Sequence, residues 1–158
     1  MIDRIDVTVA ALIELDNRYL LVEERARGQI VLNQPAGHVE PGESLTEAVI
    51  RETQEETGFS FRPTSVLGFY LWHCMEAGTT FLRLAFRGEA DPPAETPTLD
   101  SCIIATHWLT RPQIVARESQ LRSPLVLRCV EDFETGAEYP LSCLTELQLD
   151  SGRRRAIR

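Results

Sequence analysis

The chain has 158 residues, of which 43% are hydrophobic and 25% are charged, so it suits one packed domain and excludes a disordered chain or a disulfide scaffold. Its formal net charge is −8 even though four arginines lie among the last six residues, which argues against binding along a nucleic acid polymer. The four cysteines and three histidines have no zinc-ligand spacing.

The chain start carries acidic residues where a signal peptide has basic ones, and no apolar run reaches the roughly 20 residues that a membrane span needs. The sequence therefore predicts a cytoplasmic protein with reduced thiols and no membrane contact. We expect a single domain over residues 1–150, followed by a frayed basic tail over 151–158. Both a monomer and a homodimer are compatible with the sequence.

Apolar segments alternate with short turn sequences, a pattern that predicts strands joined by hairpins. The predicted elements are strands at 7–15, 19–24, 66–73, 80–87 and 103–109, and helices at 45–57, from near Pro112, and at 125–134. Hairpin turns are predicted at Asp16-Asn17-Arg18 and at residues 76–79. The first helix follows a loop over 33–37, begins at a capping box from Ser44 to Glu47 and ends before Gly58. This order predicts an α/β fold, with an α/β/α sandwich around a mixed β-sheet.

The helix predicted over 45–57 carries three glutamates on its apolar side. At about 100° per residue, Glu52, Glu55 and Glu56 continue the apolar stripe and lie away from the solvated face. These carboxylates repel one another, and Arg51 alone does not neutralise them, so a divalent cation is expected. Oxygen ligands without cysteine or imidazole select Mg²⁺ or Mn²⁺. The alternative is an acidic surface helix, because glutamate is a common helix former.

A pattern of fixed residues decides between these alternatives. The chain matches G-x5-E-x7-R-E-U-x-E-E-x-G-U, where U is a bulky apolar residue, at Gly37, Glu43, Arg51, Glu52, Glu55, Glu56, Gly58 and Phe59. This pattern is the Nudix box, and the chain therefore resembles the Nudix hydrolases. Thr53 departs from the pattern at an aliphatic position, which predicts a small packing loss and unchanged chemistry.

The resemblance implies a metal-dependent hydrolase that cleaves a diphosphate linked to another moiety, on a loop-helix-loop catalytic box. The implied metal ligands are Glu52, Glu55, Glu56 and the carbonyl of Gly37. Glu52 is also our candidate for activating water, and Arg51 and Glu43 would hold the carboxylates in place. Bridging Mg²⁺ would bind a diphosphate that bare glutamates repel. A further ligand from Glu89, Glu95 or Asp100 is left open.

Segments outside the Nudix box indicate which group of Nudix hydrolases the chain resembles most. Residues 33–38, 81–83, 121–126 and 139–141 resemble the NudJ-type phosphatases, over about residues 7–145. This likeness implies hydrolysis of nucleoside tri- and diphosphates with release of orthophosphate, and of the pyrophosphates of thiamin and its hydroxymethylpyrimidine precursor. The partner would then be a small phosphorylated metabolite or nucleotide.

Three residues outside the box, Arg122, Gln34 and Trp72, are candidate substrate ligands, and Tyr70 lies near Trp72 on the same strand. Arg122 suits a bidentate phosphate contact, with a surface salt bridge as the alternative. Gln34 is expected either to read a base edge or to fasten its loop. Trp72 and Tyr70 share one strand face, where they would stack on a substrate ring or pack in the core.

Two other functions stay open. The first is the same chemistry on a dinucleoside polyphosphate, a nucleotide sugar or capped RNA, although the acidic body disfavours RNA. The second is a Nudix-fold ligand sensor without catalysis, which would be expected to lack one of the metal-binding glutamates. All three glutamates are present here.

Overall fold

The computed structural model describes residues 4–147, so the predicted basic tail over 151–158 lies outside the described residues. Within this range the strands are β1 (Arg4–Leu15), β2 (Arg18–Ala26), β3 (Gln29–Asn33), β4 (Ala36–His38), β5 (Ser60–Cys74), β6 (Thr79–Asp91), β7 (Ile103–Leu109) and β8 (Tyr139–Pro140). The α-helices are α1 (Leu45–Thr57), α2 (Arg111–Val115) and α3 (Leu125–Glu134). No helix in this part of the chain has the length and apolar character that crossing a membrane requires.

The strands form one mixed sheet in the order β3-β2-β1-β6-β5-β8, with β4 paired to β1 and β7 paired to β2. The central strands β1 and β6 run parallel over ten residue pairs, from Arg4 opposite Thr79 to Ile13 opposite Gly88. The other pairs are antiparallel. The predicted mixed sheet is therefore confirmed.

Both predicted hairpins are present. The first turns at Asp16 and Asn17, whose φ angles of 51° and 60° suit the tight turns that match strand twist. The second, β5–β6, is longer at both ends than predicted, because register shifts near Pro63 and Gly68 let β5 stay paired. The short strands β3 and β4 were not predicted, since five and three residues carry little periodicity.

The two faces of the sheet carry separate hydrophobic clusters. On β1, Ala10 and Leu12 pack in one cluster with Val126 of α3, whereas Ala11 packs in the other with Val49 of α1. Side chains alternate along a strand, so one strand contributes to both layers. Helices thus cover both faces, and the predicted α/β/α arrangement is confirmed.

Helix α1 begins and ends as its sequence predicts. Ser44 accepts a hydrogen bond from the backbone of Glu47, the Glu47 carboxylate accepts one from the Ser44 backbone, and Gly58 closes the helix at φ 75°. Thr53 is fully buried, deeper than a position at the stripe edge. The Thr53 hydroxyl donates a hydrogen bond to the Val49 carbonyl at 2.7 Å. This bond satisfies the buried hydroxyl, which the aliphatic residue usual at this position would not have.

Candidate active site

The second half of α1 packs closely against β4. Gly37 lies on β4 opposite Val9 of β1, and a Cβ atom at this position would overlap the Glu52 carboxylate. Gly37 does not have a positive φ, so the close approach, and not backbone conformation, requires glycine here. The first and fourth fixed residues of the Nudix box therefore meet in space.

Arg51 links the loop before α1 to the carboxylates on it. Its Nε and Nη2 donate to the two Glu43 oxygens at 2.7 and 2.9 Å, a bidentate contact. Its Nη1 donates to Glu52 at 2.9 Å and to Glu55 at 3.0 Å, and its Nη2 also reaches the His38 carbonyl at 3.0 Å. The hydrogen bonds from Arg51 lower the pKa of Glu43. Arg51 therefore contacts three carboxylates at once, and the positioning role of Arg51 and Glu43 stays a prediction.

The three glutamates of α1 differ in burial. Glu52 and Glu56 are buried, at 9% and 5% exposure, whereas the Glu55 side chain is 42% exposed and lies at the rim against Arg51. The expectation that all three face the protein body is therefore wrong for Glu55. It occupies the edge of the apolar arc, where a long side chain reaches water.

Burial dominates the electrostatics of the two inner carboxylates. It raises the pKa of Glu56 to about 9, although the Ala36 N–H donates to Glu56 at 2.9 Å, and repulsion from Glu24, Glu52 and Asp100 adds to the effect. Burial also raises the pKa of Glu52, against the opposing effect of Arg51. The charged forms of both groups therefore favour a nearby cation.

The donor chemistry fits a hard divalent metal ion. Among residues 4–147, no three His, Cys, Asp or Glu side chains are already gathered tightly as a metal site. Glu52 and Glu56 are nevertheless buried carboxylates beside Gly37, and Glu55 shares the Arg51 contact. Such oxygen donors suit Mg²⁺ or Mn²⁺ and would hold the ion together with the Gly37 carbonyl.

Of the three acidic residues left open as further ligands, Asp100 lies beside the site. Its N–H donates to the Glu55 carbonyl at 2.9 Å, and its charge acts on both inner glutamates. Glu89 forms an exposed ion pair with Arg62, and Glu95 lies in an exposed loop.

Sequence reasoning missed Glu24 on β2. Its side chain is buried at 7% exposure, and Asn33 donates to it at 3.3 Å. Its charge contributes to the raised pKa of Glu56. The available signal was its position two residues after the fully buried Val22, on the same face of the strand.

A cavity of about 280 Å³ is lined by Glu52 and Glu56, and it adjoins a cleft of about 830 Å³. We call these two spaces the inner cavity and the outer cleft. Four residues line both spaces, namely Trp72, Phe81, Arg122 and Ser123. Trp72 stacks on Phe81 with ring centroids 5.4 Å apart and an interplanar angle of 21°. Arg122 forms a salt bridge with Glu24 at 3.1 Å, which is the kind of contact named as the alternative to phosphate binding. Arg122 nevertheless also lines the cavity. Two of the three predicted substrate residues, Trp72 and Arg122, thus lie at this junction.

The predicted substrate contact of Gln34 is wrong. Gln34 is 1% exposed, and its Nε2 donates to the Val126 carbonyl at 2.8 Å, so it fastens its loop to α3. Tyr70 is also structural, because its hydroxyl donates to Asp132 of α3 at 2.9 Å and its ring packs against the core. The ring pair that faces the cleft is Trp72 and Phe81.

Comparison with known proteins identifies the family of this chain. The sequence model described as NUDIX domain matches residues 4–128. The chain belongs to the Nudix family, and it is a Nudix hydrolase, an enzyme that acts on phosphoanhydrides.

Particular relatives are also similar. The chain is 38% identical to phosphatase NudJ of Escherichia coli K12 over 138 residues, which cover 87% of this chain and 89% of that protein. It is 48% identical to the solved structure of a NUDIX hydrolase from Nitrosomonas europaea, with a TM-score of 0.87 over 90% of this chain and 97% of the other. The MutT protein from Methanosarcina mazei Go1 follows at 26% identity and a TM-score of 0.69, over 86% and 97%.

Proposed function

We propose that this Nudix hydrolase cleaves nucleoside tri- and diphosphates and thiamin-type pyrophosphates in a Mg²⁺-dependent reaction that releases orthophosphate. The observation that carries the proposal is the junction of the two cavities, where the Trp72–Phe81 pair and Arg122 border the space that contains Glu52 and Glu56. The 38% identity to a phosphatase, NudJ, supports the same activity.

The outer cleft would hold the organic part of the substrate. Trp72 and Phe81 stack on each other, and a nucleobase or a pyrimidine ring would gain further stacking energy on an outer face of this pair. Because stacking does not depend on a particular hydrogen-bond pattern, this surface would accept several rings. Arg122 would bind the phosphates that follow.

The inner cavity would carry out the chemistry. Mg²⁺, when bound, would neutralise phosphate charge and polarise the phosphorus centre. Glu52 would accept a proton from the attacking water. Arg51 would fix the direction of the Glu52 carboxylate through its anchor on Glu43.

The proposed enzyme and a general pyrophosphohydrolase would cleave different bonds of GTP, because one releases orthophosphate and the other releases pyrophosphate. Only the phosphorus placed in line with the water reacts. We expect the terminal phosphorus to occupy the inner cavity, so GTP would pass to GDP and then to GMP. The test is turnover of GTP in ¹⁸O-water, with product masses measured at early times. Labelled orthophosphate with a GDP intermediate is expected, whereas pyrophosphate as the first product would refute the proposal.

A second part of the same experiment measures turnover of thiamin pyrophosphate beside that of GTP. Thiamin pyrophosphate shares only its phosphate end with GTP, so turnover of both is expected from an enzyme that recognises that end. The acidic composition supports small substrates over a nucleic acid polymer. The proposal also places the reaction in the cytoplasm and holds for a monomer or a homodimer.

A further inference from the structure

Arg83 is a buried arginine that the reaction described so far does not use. It lies on β6 between Thr8 of β1 and Tyr70 of β5, and it is 7% exposed. Its Nε and Nη1 atoms are buried without a hydrogen-bond partner in the described part of the chain. Arginine is rarely buried unless it is paired, so this guanidinium calls for an explanation.

The charges around Arg83 do not neutralise it. Burial lowers its pKa, and the nearby positive charge of Arg122 acts in the same direction. Cys129, Glu24 and Glu56 act in the opposite direction, but neither carboxylate forms a salt bridge with Arg83 within residues 4–147. A buried cation with unused donors is costly unless an anion binds to it.

Arg83 also has a distinct position along the cleft. It lines the inner cavity with Glu52 and Glu56 and does not line the outer cleft, whereas Arg122 and Ser123 line both. The Ser123 hydroxyl is likewise buried without a partner in the described residues. A substrate that enters with its ring on Trp72 would therefore pass Arg122 and Ser123 before its far end reached Arg83.

We infer that Arg83 binds the terminal phosphate of the substrate, and that Arg122 and Ser123 bind the phosphate next to it. The inference rests on the proposed function and names the group that holds the reacting end of the substrate. It also gives a physical reason for attack at the terminal phosphorus, because the more buried arginine of the cavity lines it together with Glu52 and Glu56.

The test compares Arg83→Met with Arg87→Met. Arg87 lies on the same strand and face as Arg83, but it has partners, since its Nη1 donates to the Ala137 carbonyl at 3.0 Å and its guanidinium lies 4.2 Å from the Phe133 ring centroid. Both variants would be titrated calorimetrically with the β,γ-methylene analogue of GTP and with GMP, in the presence of Mg²⁺. Thermal unfolding would be measured in parallel.

We expect Arg83→Met to bind the analogue at least about tenfold more weakly and GMP within about threefold of the unmodified protein. Its melting temperature should stay equal or rise, because a buried unpaired charge has been removed. Arg87→Met should bind both ligands normally and melt lower. If Arg83→Met folds poorly, Arg83→Lys serves instead, with the charge kept and the fork lost.

Unchanged analogue binding, or an equal loss of GMP and analogue binding with a lower melting temperature, would overturn the inference in favour of a structural role. The labelled-water experiment is separate. Pyrophosphate release from GTP would refute the proposed function, yet a selective loss of analogue binding would still support a phosphate contact of Arg83.

Discussion

The Glu52 carboxylate lies against the α-carbon of Gly37, so the two residues share a space that admits no additional methyl group. Gly37 belongs to β4 and Glu52 to α1, and the missing side chain of Gly37 leaves the space that the Glu52 carboxylate occupies. The position of the candidate base is therefore set by packing as well as by hydrogen bonds.

Gly37→Ala should displace the Glu52 side chain. We expect kcat/KM to fall on the order of a hundredfold, because a misplacement of about 1 Å at a reacting group has effects of that size. The melting temperature should change little, since the overlap is with the end of a flexible side chain. Steady-state kinetics and thermal unfolding measure the two effects separately.

Gly136→Ala is the matched control for Gly37→Ala. Gly136 has open space around it but a φ of 82°, so alanine should lower stability and leave kcat/KM unchanged. Equal activity of Gly37→Ala and the unmodified enzyme would show that Glu52 does not need its present position.

Removal of divalent metal should abolish turnover, and Mg²⁺ or Mn²⁺ should restore it. Glu56→Gln keeps the side-chain shape but removes a charge, so activity should fall at least about a hundredfold in a folded protein. Glu47→Gln is the control on the same helix, because glutamine also completes a capping box and activity should persist. Full turnover in chelator would exclude the proposed metal-dependent mechanism.

Metal-free protein should lose stability as pH rises. The folded-state pKa of Glu56 is raised to about 9, whereas an unfolded chain has about 4.3 for this group. The folded state therefore holds this proton more tightly, and its stabilising effect, complete below about pH 4.3, is lost as pH rises towards 9. Melting temperatures measured across this range in chelator should fall.

Glu56→Gln should flatten that fall, and added Mg²⁺ should raise the melting temperature of the unmodified protein most at the alkaline end. A slope that is the same in the variant and in the unmodified protein would assign the pH dependence to other groups.

Arg122→Lys keeps the positive charge but loses the planar guanidinium, which can donate two parallel hydrogen bonds to one phosphate. If Arg122 binds a substrate phosphate, kcat/KM should fall about tenfold with the melting temperature nearly unchanged. Arg111→Lys is the control, because Arg111 makes exposed salt bridges with Glu131 and Glu134 and should affect neither quantity much. A lower melting temperature with unaltered kinetics would make the Glu24 pair the main role of Arg122.

Structural features that depend only on residues close together in the chain could be predicted from the sequence. The capping box, the end of α1 at Gly58 and the turn at Asp16-Asn17 are short-range features, and each is confirmed. The spacing of the Nudix box placed Arg51, Glu43 and Glu52 together because all three lie within one loop and one helix.

Features that depend on distant pairing were not predictable in the same way. The burial of Gln34 follows from the docking of α3, which supplies the Val126 carbonyl from 92 residues further along the chain. Glu24 and Arg83 join the site through pairing of β2 and β6 with their neighbours in the sheet. An arginine in an apolar strand was the available signal for Arg83, but strand periodicity alone does not separate a binding group from a buried ion pair.

The hydrogen bonds of the Arg51 guanidinium also limit insertions and deletions between the residues that accept them. One guanidinium reaches back to the Glu43 carboxylate and the His38 carbonyl, and reaches along the helix to Glu52 and Glu55. A side chain of fixed length tolerates little change in the separation of these acceptors. One residue inserted between His38 and Glu43 would therefore have to bulge out of this exposed loop, or Arg51 would lose an acceptor although every candidate catalytic residue is unchanged.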